Sequence, residues 1–550
     1  MKDEAGNLLQ NVSIRHPKSG YIFYTGMSGG FGIQNSAQKD TLIFSLDGFH
    51  KQSLLVDASQ FNTITLKKAA APNRLYKLAS LTTNLRFENQ KQWLVGNESY
   101  VSTVENGFVP ADKYATTRLT LNVDRAAYSN IRRFINTRKL VPPDAVRIEE
   151  MLNYFNFQYT EPANGQTFQI HSALSTCPWN PESQLLFARI TSKKVPLENL
   201  PPSHLVFLID ISASMDMDNR LPLLKAGFNG LVNNLRAQDS VSIVVYGGTV
   251  AVILRATSGA DKQKIMNVID SIQPGGSTPG ESGVKLAYHV ARQHFIKGGN
   301  NRVILATDGD FNVGVRSEED LEQLITEQKE SGIYLTCLGV GMGNYKDSKI
   351  QTLAQKGNGN FAYIDSYAEA EKVLIKEFTQ TLYTVADDVY LNVQFNPAEV
   401  KEYRLIGFDN KVGAIKDTTA TVEGGEIGST YSMLLAFEIT PQTGKVETKH
   451  PAQFTLHYLN ADQRNKQEVV EHRPVLPVTP FESLAKEYKF ASAVIMFGSI
   501  IKESRYAKNM TWDKVLAIAN QSADLDNPSQ KEFISIVTQA KELYSKKRKR

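Results

Sequence analysis

The chain has 550 residues, of which 41% are hydrophobic and 21% charged, so several domains with ordinary cores are expected. Its formal net charge of +4 is too small and too dispersed to favour nucleic-acid binding. The sequence contains no run of about 20 apolar residues, which a membrane-spanning helix requires. Three of its first six residues are charged, and this start does not resemble an export signal.

Residues 3–66 alternate short apolar runs with turns, which predicts a small all-β domain over residues 1–68. The predicted strands cover residues 12–14, 21–24, 30–33, 41–45, 53–56 and 63–66. This pattern resembles the carboxypeptidase regulatory-like β-sandwich that is common on envelope proteins of the Bacteroidota. In that family a further strand precedes the turn found here at residues 3–6. We therefore expect that the chain begins internally and that a longer product carries this strand and an export signal.

The regions on either side of the middle of the chain are predicted to be rich in strands. Residues 69–100 show no periodicity and indicate a linker, whereas residues 101–203 begin with helical patterns and end with strands at 167–172 and 184–191. Residues 383–480 contain further predicted strands at 389–395, 402–408, 432–439 and 453–459. The simplest architecture pairs this region with strands of 165–200, so that a central domain is inserted into one β-sandwich. Two independent small sheets are the alternative.

The most informative motif follows a predicted buried strand at residues 204–209. Asp210, Ser212 and Ser214 form a DxSxS pattern where this strand ends. Thr278 stands at the start of a helical pattern, and Asp308 follows a second apolar strand at 302–307. Because ligands of open α/β sheets bind beyond the carboxyl ends of the strands, these five side chains are expected to converge there. Their hard oxygen atoms fit Mg²⁺ or Mn²⁺ and leave a position for another carboxylate.

Strands and helices alternate through this central region, which predicts an α/β fold with a mostly parallel sheet and helices on both faces. A hairpin at the sheet edge is predicted from two apolar runs that flank a Gly-Gly-Thr turn at 247–249. Further strands are predicted at 333–341 and 360–365. The predicted helices cover residues 220–235, 261–272, 280–297, 317–330, 346–356 and 367–382.

These motifs resemble those of the von Willebrand factor type A (VWA) domain, a Rossmann-like fold that would cover residues 204–382. The resemblance implies a metal-ion-dependent adhesion site in which hydroxyls bind the metal directly and aspartates often act through water. An acidic residue of the ligand would complete the shell. Carried over to this sequence, the site consists of Asp210, Ser212, Ser214, Thr278 and Asp308.

The flanking sequences narrow the resemblance to a bacterial family of cell-envelope VWA proteins. Residues 119–155 resemble the VWA-associated N-terminal module of that family, and residues 481–545 resemble its C-terminal helical module. Residues 481–550 are therefore expected to form helices with a basic tail at 546–550. One apolar stripe in this module is interpreted as core, and it consists of Phe490, Ala493, Val494, Phe497 and Ile501.

Several other signals are interpreted as structural. Cys177 and Cys337 are expected to be unpaired. Residues 26–30 match the G-x-S-x-G pattern of hydrolases, but a strand and not a helix is predicted to follow, which indicates a turn. Three carboxylates that lie close in sequence to the predicted metal ligands are interpreted as solvated loop charges: Asp216, Asp218 and Asp310. Their alternative role is to raise metal affinity while repelling an anionic partner.

The sequence therefore predicts a protein-binding module of the cell envelope that captures an Asp or Glu of a protein partner through a divalent metal. It would be periplasmic or surface-exposed, peripherally associated with the envelope or lipid-anchored in a longer product, and not an enzyme. One alternative is an intracellular partner of an AAA+ ATPase, against which the β-rich flanks argue. The other is a metal-assisted hydrolase, for which the sequence shows no evident general base beside the site.

Overall fold

The computed structural model describes the chain except residues 5, 10–11, 17–21, 27, 33–37, 47–48, 68–76, 79–97, 101–102, 158, 164, 197, 199, 277–279, 310–324, 327–331, 344, 358, 378–383, 410–420, 423–424, 443–449, 461–465 and 548–550. The chain forms two compact units, Met1–Lys77 and Leu78–Arg550. A two-residue strand, Lys77–Leu78, lies at their boundary.

The first unit is a small all-β domain. Its strands are β1 (Lys2–Asp3), β2 (Ser13–Arg15), β3 (Ile22–Tyr24), β4 (Lys39–Ser45), β5 (Gln52–Asp57) and β6 (Thr65–Leu66). An antiparallel sheet has the order β3-β2-β4-β5, and β1 pairs in parallel with β6. Alternate residues of β4 are buried, as expected for a strand with one face on a core. That core contains Val12, Ile14, Leu42, Phe44, Ile64 and Leu66.

One strand predicted for the first unit is absent from the described residues. Residues 30–32 form no strand, and Ile33 lies outside the described residues. The preceding Gly29 has φ +65°, and a Cβ there would lie 2.6 Å from a backbone oxygen of Met1. The chain therefore turns at this glycine, as interpreted for the G-x-S-x-G match, and its geometry is not that of a strand-to-helix elbow.

The second unit begins with strands and helices that precede the central domain. With the boundary strand counted as β7, these are β8 (Val109–Pro110), β9 (Thr116–Thr120), α1 (Ala126–Asn136), α2 (Ile148–Tyr154), β10 (Phe168–Thr176) and β11 (Gln184–Ser192). The end of the predicted linker contributes to this region. Glu98 and Tyr100 are buried, and the backbone N–H of Ser99 donates to the carbonyl of Tyr345 (3.1 Å).

The central domain alternates strands and helices. They are β12 (Ser203–Asp210), α3 (Leu221–Asn233), β13 (Ser240–Gly247), β14 (Thr249–Ser258), α4 (Lys262–Ser271), α5 (Gly280–Gln293), β15 (Asn300–Thr307), β16 (Ile333–Val340), α6 (Asp347–Lys356), β17 (Phe361–Ile364) and α7 (Tyr367–Glu371). The sheet order is β14-β13-β12-β15-β16-β17, and only β14 is antiparallel to its neighbour. The predicted edge hairpin is confirmed.

One helix prediction for this domain lies mostly outside the described residues, and another differs from the structure. The prediction over 317–330 falls largely outside the described residues. The helix predicted over 367–382 begins at Tyr367 but widens into a π-helix at Lys372–Lys376, and residues 378–383 lie outside the described part of the chain. Apolar periodicity does not distinguish an α-helix from a π-helix over a single turn.

Strands that follow the central domain join strands that precede it. They are β18 (Thr384–Phe395), β19 (Val400–Leu405), β20 (Thr421–Val422), β21 (Gly425–Gly428), β22 (Ser432–Pro441), β23 (Ala452–Asn460), β24 (Gln467–His472) and β25 (Val478–Thr479). One sheet has the order β25-β10-β11-β22-β19-β8; the other has the order β21-β18-β23-β24, with β9 also on β18. Buried residues of both sheets form one core, so the central domain is inserted between strands that share sheets.

The chain ends in three helices, α8 (Lys486–Ile501), α9 (Trp512–Ser522) and α10 (Pro528–Lys547). All five residues of the apolar stripe predicted on α8 are buried. Phe533 of α10 lies edge-on to Phe155 and Phe497, with ring centroids 5.5 and 5.3 Å apart, so the last helices pack on the region after α2. Among the described residues, none of the helices has the length and apolarity needed to cross a membrane. Both cysteines are buried and unpaired.

Candidate functional site

The candidate site starts where the buried strand β12 ends, at Asp210. The side chain of Asp210 is fully buried. Its Oδ1 accepts a hydrogen bond from the backbone N–H of Ser212 (2.9 Å), and its Oδ2 accepts one from the Thr307 hydroxyl (3.1 Å). Burial raises the pKa of Asp210 to about 6, and the charge of Asp308 adds to this rise. The site therefore holds a carboxylate whose ionised form needs further stabilisation.

Two hydroxyls lie beside each other on the loop after Asp210. Ser212 is buried and Ser214 is exposed, and their Oγ atoms are 3.1 Å apart. A 3₁₀-helix, Ala213–Asp216, turns the chain here, so residues two apart in sequence present their hydroxyls to one another. This is the geometry in which both oxygens can face one ligand.

Asp308 follows the neighbouring strand β15 and lies at the same carboxyl end of the sheet as Asp210. Because β12 and β15 are parallel, with Ile209 opposite Ala306, the residues after each strand emerge side by side. Asp308 is buried, and its Oδ2 accepts a hydrogen bond from Nη1 of Arg220 (2.6 Å). Sequence reasoning did not identify Arg220 as a residue of the site.

Arg220 connects three loops at this edge. Its Nη1 also donates to the carbonyl of Ser214 (2.6 Å), and its Nη2 donates to the carbonyl of Met342 (3.1 Å) after β16. A signal for this residue exists in the sequence, because Arg220 directly precedes helix α3. The positive end of the helix dipole disfavours a cation there, so a buried arginine at that position indicates a nearby carboxylate.

Two backbone hydrogen bonds join Gly275 and Gly276, which precede Thr278 in sequence, to the loop after β12. The backbone N–H of Gly275 donates to the carbonyl of Ile211 (2.6 Å), and Gly276 accepts from the N–H of Ala213 (3.3 Å). Residues 277–279 lie outside the described residues, so the predicted position of Thr278 stays a prediction. Asp310 also lies outside them, whereas Asp216 and Asp218 are exposed, as interpreted from the sequence.

The donor set is that of a hard divalent cation. Four of the five predicted residues, Asp210, Ser212, Ser214 and Asp308, lie at one edge and offer carboxylate and hydroxyl oxygens. Within the described part of the chain, Asp210 forms no ion pair, and no group of three or more His, Cys, Asp or Glu side chains is placed to hold a metal. Carboxylate and hydroxyl oxygens are the ligands that Mg²⁺ and Mn²⁺ prefer, so the four residues fit either ion by donor chemistry.

Comparisons with protein families match most of the second unit. A von Willebrand factor model matches residues 94–187, and the von Willebrand factor type A domain model matches residues 204–379. The model for the C-terminal region of the uncharacterized protein YfbK matches residues 380–475 and 452–543. The central α/β domain is therefore of the VWA type.

Two curated proteins illustrate the similarity along the chain. The uncharacterized protein YfbK of Escherichia coli is 38% identical over 445 residues, which cover 76% of each chain. Inter-alpha-trypsin inhibitor heavy chain H2 of Mus musculus is 26% identical over 231 residues, which cover 39% of this chain and 24% of that protein.

Solved structures also match this chain, at low sequence identity. The ArnB paralog VWA2 from Sulfolobus acidocaldarius is 16% identical with a TM-score of 0.38, covering 69% of this chain and 97% of that one. A von Willebrand factor type A protein from Catenulispora acidiphila is 13% identical with a TM-score of 0.40, covering 68% and 93%.

Proposed function

The chain belongs to the family of the uncharacterized protein YfbK, and on this premise we propose that it is a metal-ion-dependent protein-binding protein of the bacterial cell envelope. It acts in adhesion or assembly and is not an enzyme. An Asp or Glu of a protein partner completes the coordination of a Mg²⁺ or Mn²⁺ ion at Asp210, Ser212, Ser214, Thr278 and Asp308.

The convergence of Asp210, Ser212, Ser214 and Asp308 is the observation that carries this proposal. These oxygens come from loops after two adjacent parallel strands, and the exposed Ser214 shows that the edge is open to solvent on its side. A hard cation prefers such oxygens and keeps positions for water or a partner oxygen. With few anionic ligands of its own, the metal remains attractive to another carboxylate.

Protein binding accounts for the site better than hydrolysis does. A hydrolytic metal site needs a base positioned beside the metal-bound water. Here the Asp308 carboxylate is paired with Arg220, and the Asp210 carboxylate accepts hydrogen bonds from Ser212 and Thr307. Both carboxylates are therefore held in fixed positions, which suits ligand capture.

The envelope assignment and the Bacteroidota origin rest on the resemblance of the flanks and of the small β-domain at residues 1–68 to modules of envelope proteins. That domain contains the short strand β1 paired with β6 and a core of its own, which supports a separate module of this kind. Fractionation of cells that express the native gene tests the localisation, and recovery in the cytoplasm would contradict it.

Calorimetric titration with Mg²⁺ and Mn²⁺ tests the metal site directly. We expect wild-type protein to bind one ion and Ser212→Ala to lose most of that affinity, because a direct ligand is removed while the fold is retained. Ser535→Ala on the exposed face of α10 is the matched control and should bind the metal as wild type does. Equal heats for wild type and Ser212→Ala would contradict the assignment.

A further inference from the structure

We infer that Arg220 is the residue that makes the metal-loaded site select an anionic group, because its guanidinium offsets the charge of Asp308. This inference rests on the proposed function and names the chemistry of its ligand site more closely. Arg220 would lower the affinity for the metal ion and raise the affinity of the bound ion for a carboxylate.

The contacts of Arg220 place its charge at the site and not in solvent. The side chain is 5% exposed, and Nη1 lies 2.6 Å from both the Asp308 carboxylate and the carbonyl of Ser214. A buried guanidinium interacts with neighbouring charges across a low effective dielectric. The charge of Arg220 therefore acts on any ion held by Asp210 and Asp308.

The fold makes room for this guanidinium. Gly341 has φ +79°, and a Cβ there would lie 2.5 Å from Nε of Arg220. Nε is buried and forms no hydrogen bond to any described residue. An arginine next to the start of helix α3 also opposes the helix dipole, so its charge at this point needs a carboxylate partner, which Asp308 supplies.

The net charge of the metal-loaded site follows from its two aspartates, the metal ion and Arg220. Asp210 and Asp308 contribute two negative charges, which a divalent cation alone would neutralise. Arg220 adds one positive charge, so the loaded site is cationic and attracts a carboxylate. Asp216 and Asp218 are exposed, and solvent screens their opposing charges.

Arg220→Gln tests this inference, because glutamine removes the charge but keeps a polar amide at about the position of Nε. Calorimetry measures Mn²⁺ affinity, and water-proton relaxation of the Mn²⁺-loaded protein measures the affinity for acetate. We expect Mn²⁺ to bind about tenfold more tightly and acetate about tenfold more weakly than in wild type. Arg220→Lys keeps the charge and should shift both constants less than Arg220→Gln does.

Arg255→Gln, on the exposed face of β14, is the matched control because it removes the same charge from the same domain. The opposite movement of the two constants distinguishes a charge effect from loss of structure, which would weaken both. If the affinities for Mn²⁺ and acetate weakened together, or if neither changed, the role inferred for Arg220 would be wrong while the proposed metal site would stand. If wild-type protein binds no Mn²⁺, the proposed function fails and this inference fails with it.

A salt series on wild-type protein covers the case in which substitution at 220 prevents folding. Acetate binding to the Mn²⁺-loaded protein should weaken by several-fold between low and physiological ionic strength, because it joins an anion to a net cationic site. Acetate affinity that does not depend on salt would overturn the inference without any variant.

Discussion

Two regions of the second unit bury carboxylates, and they balance the charge differently. One region, which we call the α1 interface, lies between helix α1 with the preceding Arg125 and residues 365–377. There Arg132 contacts Asp365 (2.8 Å), Glu369 (2.7 Å) and also Glu532 of α10 (2.8 Å). At the candidate metal site, one arginine contacts Asp308, and Asp210 receives only neutral donors.

The pKa values of Glu377 and Asp210 express this difference, although burial also raises the pKa of Glu369 at the α1 interface. At the α1 interface, burial alone would raise the pKa of Glu377, but Arg125 (2.9 Å) and Lys372 (3.2 Å) lower it to about 2. At the site, burial raises the pKa of Asp210 to about 6. A cation is therefore already supplied at the α1 interface, whereas the candidate site still favours one from outside.

The largest expected effect is the loss of Arg132 from the α1 interface. Arg132→Met leaves Asp365 and Glu369 buried without their guanidinium, and breaking a buried pair in this way costs about 3–5 kcal/mol. Urea denaturation monitored by fluorescence should show this loss in the free energy of unfolding, while Mn²⁺ affinity of the remaining folded protein stays near the wild-type value.

Arg138→Met is the control for Arg132→Met, because Arg138 pairs with Glu542 across 3.3 Å while both side chains are more than half exposed. An exposed pair contributes about 0–1 kcal/mol. Similar losses for the two variants would show that the α1 interface does not depend on its buried charges.

Much of the candidate site could be predicted because its residues follow buried strands. The apolar runs before Asp210 and Asp308 define parallel strands, and parallel strands direct the residues after them to the same edge. The edge hairpin was equally visible from its Gly-Gly turn. Local pattern and sheet geometry were sufficient for these features.

The α1 interface could not be predicted in the same way, because its partners lie far apart in sequence. Arg132 and Glu369 are separated by 237 residues, and no local pattern pairs them. A weaker signal was available: arginines precede three helices, at Arg125, Arg147 and Arg220. Each has a carboxylate partner, which indicates that a cation at a helix start should be interpreted as half of an ion pair.

Opposite responses to pH provide a second, smaller test of the comparison. The pKa of Glu377 is lower in the folded chain, so its stabilisation is present above about pH 4.5 and is lost as the pH falls toward 2. The pKa of Asp210 is higher in the folded chain, so its ionisation opposes folding above about pH 6, and this cost disappears as the pH falls toward 4.

Neutral variants should therefore change stability in opposite directions at pH 7 in the presence of EDTA. Glu377→Gln should lower the free energy of unfolding by about 2–3 kcal/mol, and Asp210→Asn should raise it by about 2 kcal/mol. Denaturation curves at pH 7 and pH 4 measure both effects, and the gain from Asp210→Asn should vanish at pH 4. If Asp210→Asn lowered the free energy of unfolding at pH 7, the buried acids of the candidate metal site and of the α1 interface would no longer differ in their effect on stability.

The smallest expected effect on binding comes from a change in the backbone beside the metal site, with every metal ligand left in place. Gly247 has φ +132°, and a Cβ there would lie 2.5 Å from the backbone nitrogen of Ser212. Gly247→Ala should therefore displace the serine loop and weaken Mn²⁺ binding by about tenfold, or ~1.4 kcal/mol, although no metal ligand is changed.

Gly165→Ala separates this displacement from backbone strain, because Gly165 has φ +85° but no atom of a described residue lies within 4 Å of an added Cβ. It should lose about 1 kcal/mol of stability through its positive φ and keep wild-type Mn²⁺ affinity in calorimetry. If Gly247→Ala also kept that affinity, the serine hydroxyls would not need the positions they have here. The candidate metal site and the α1 interface would then differ only in the charges around their carboxylates, and not in how firmly the backbone holds the ligands.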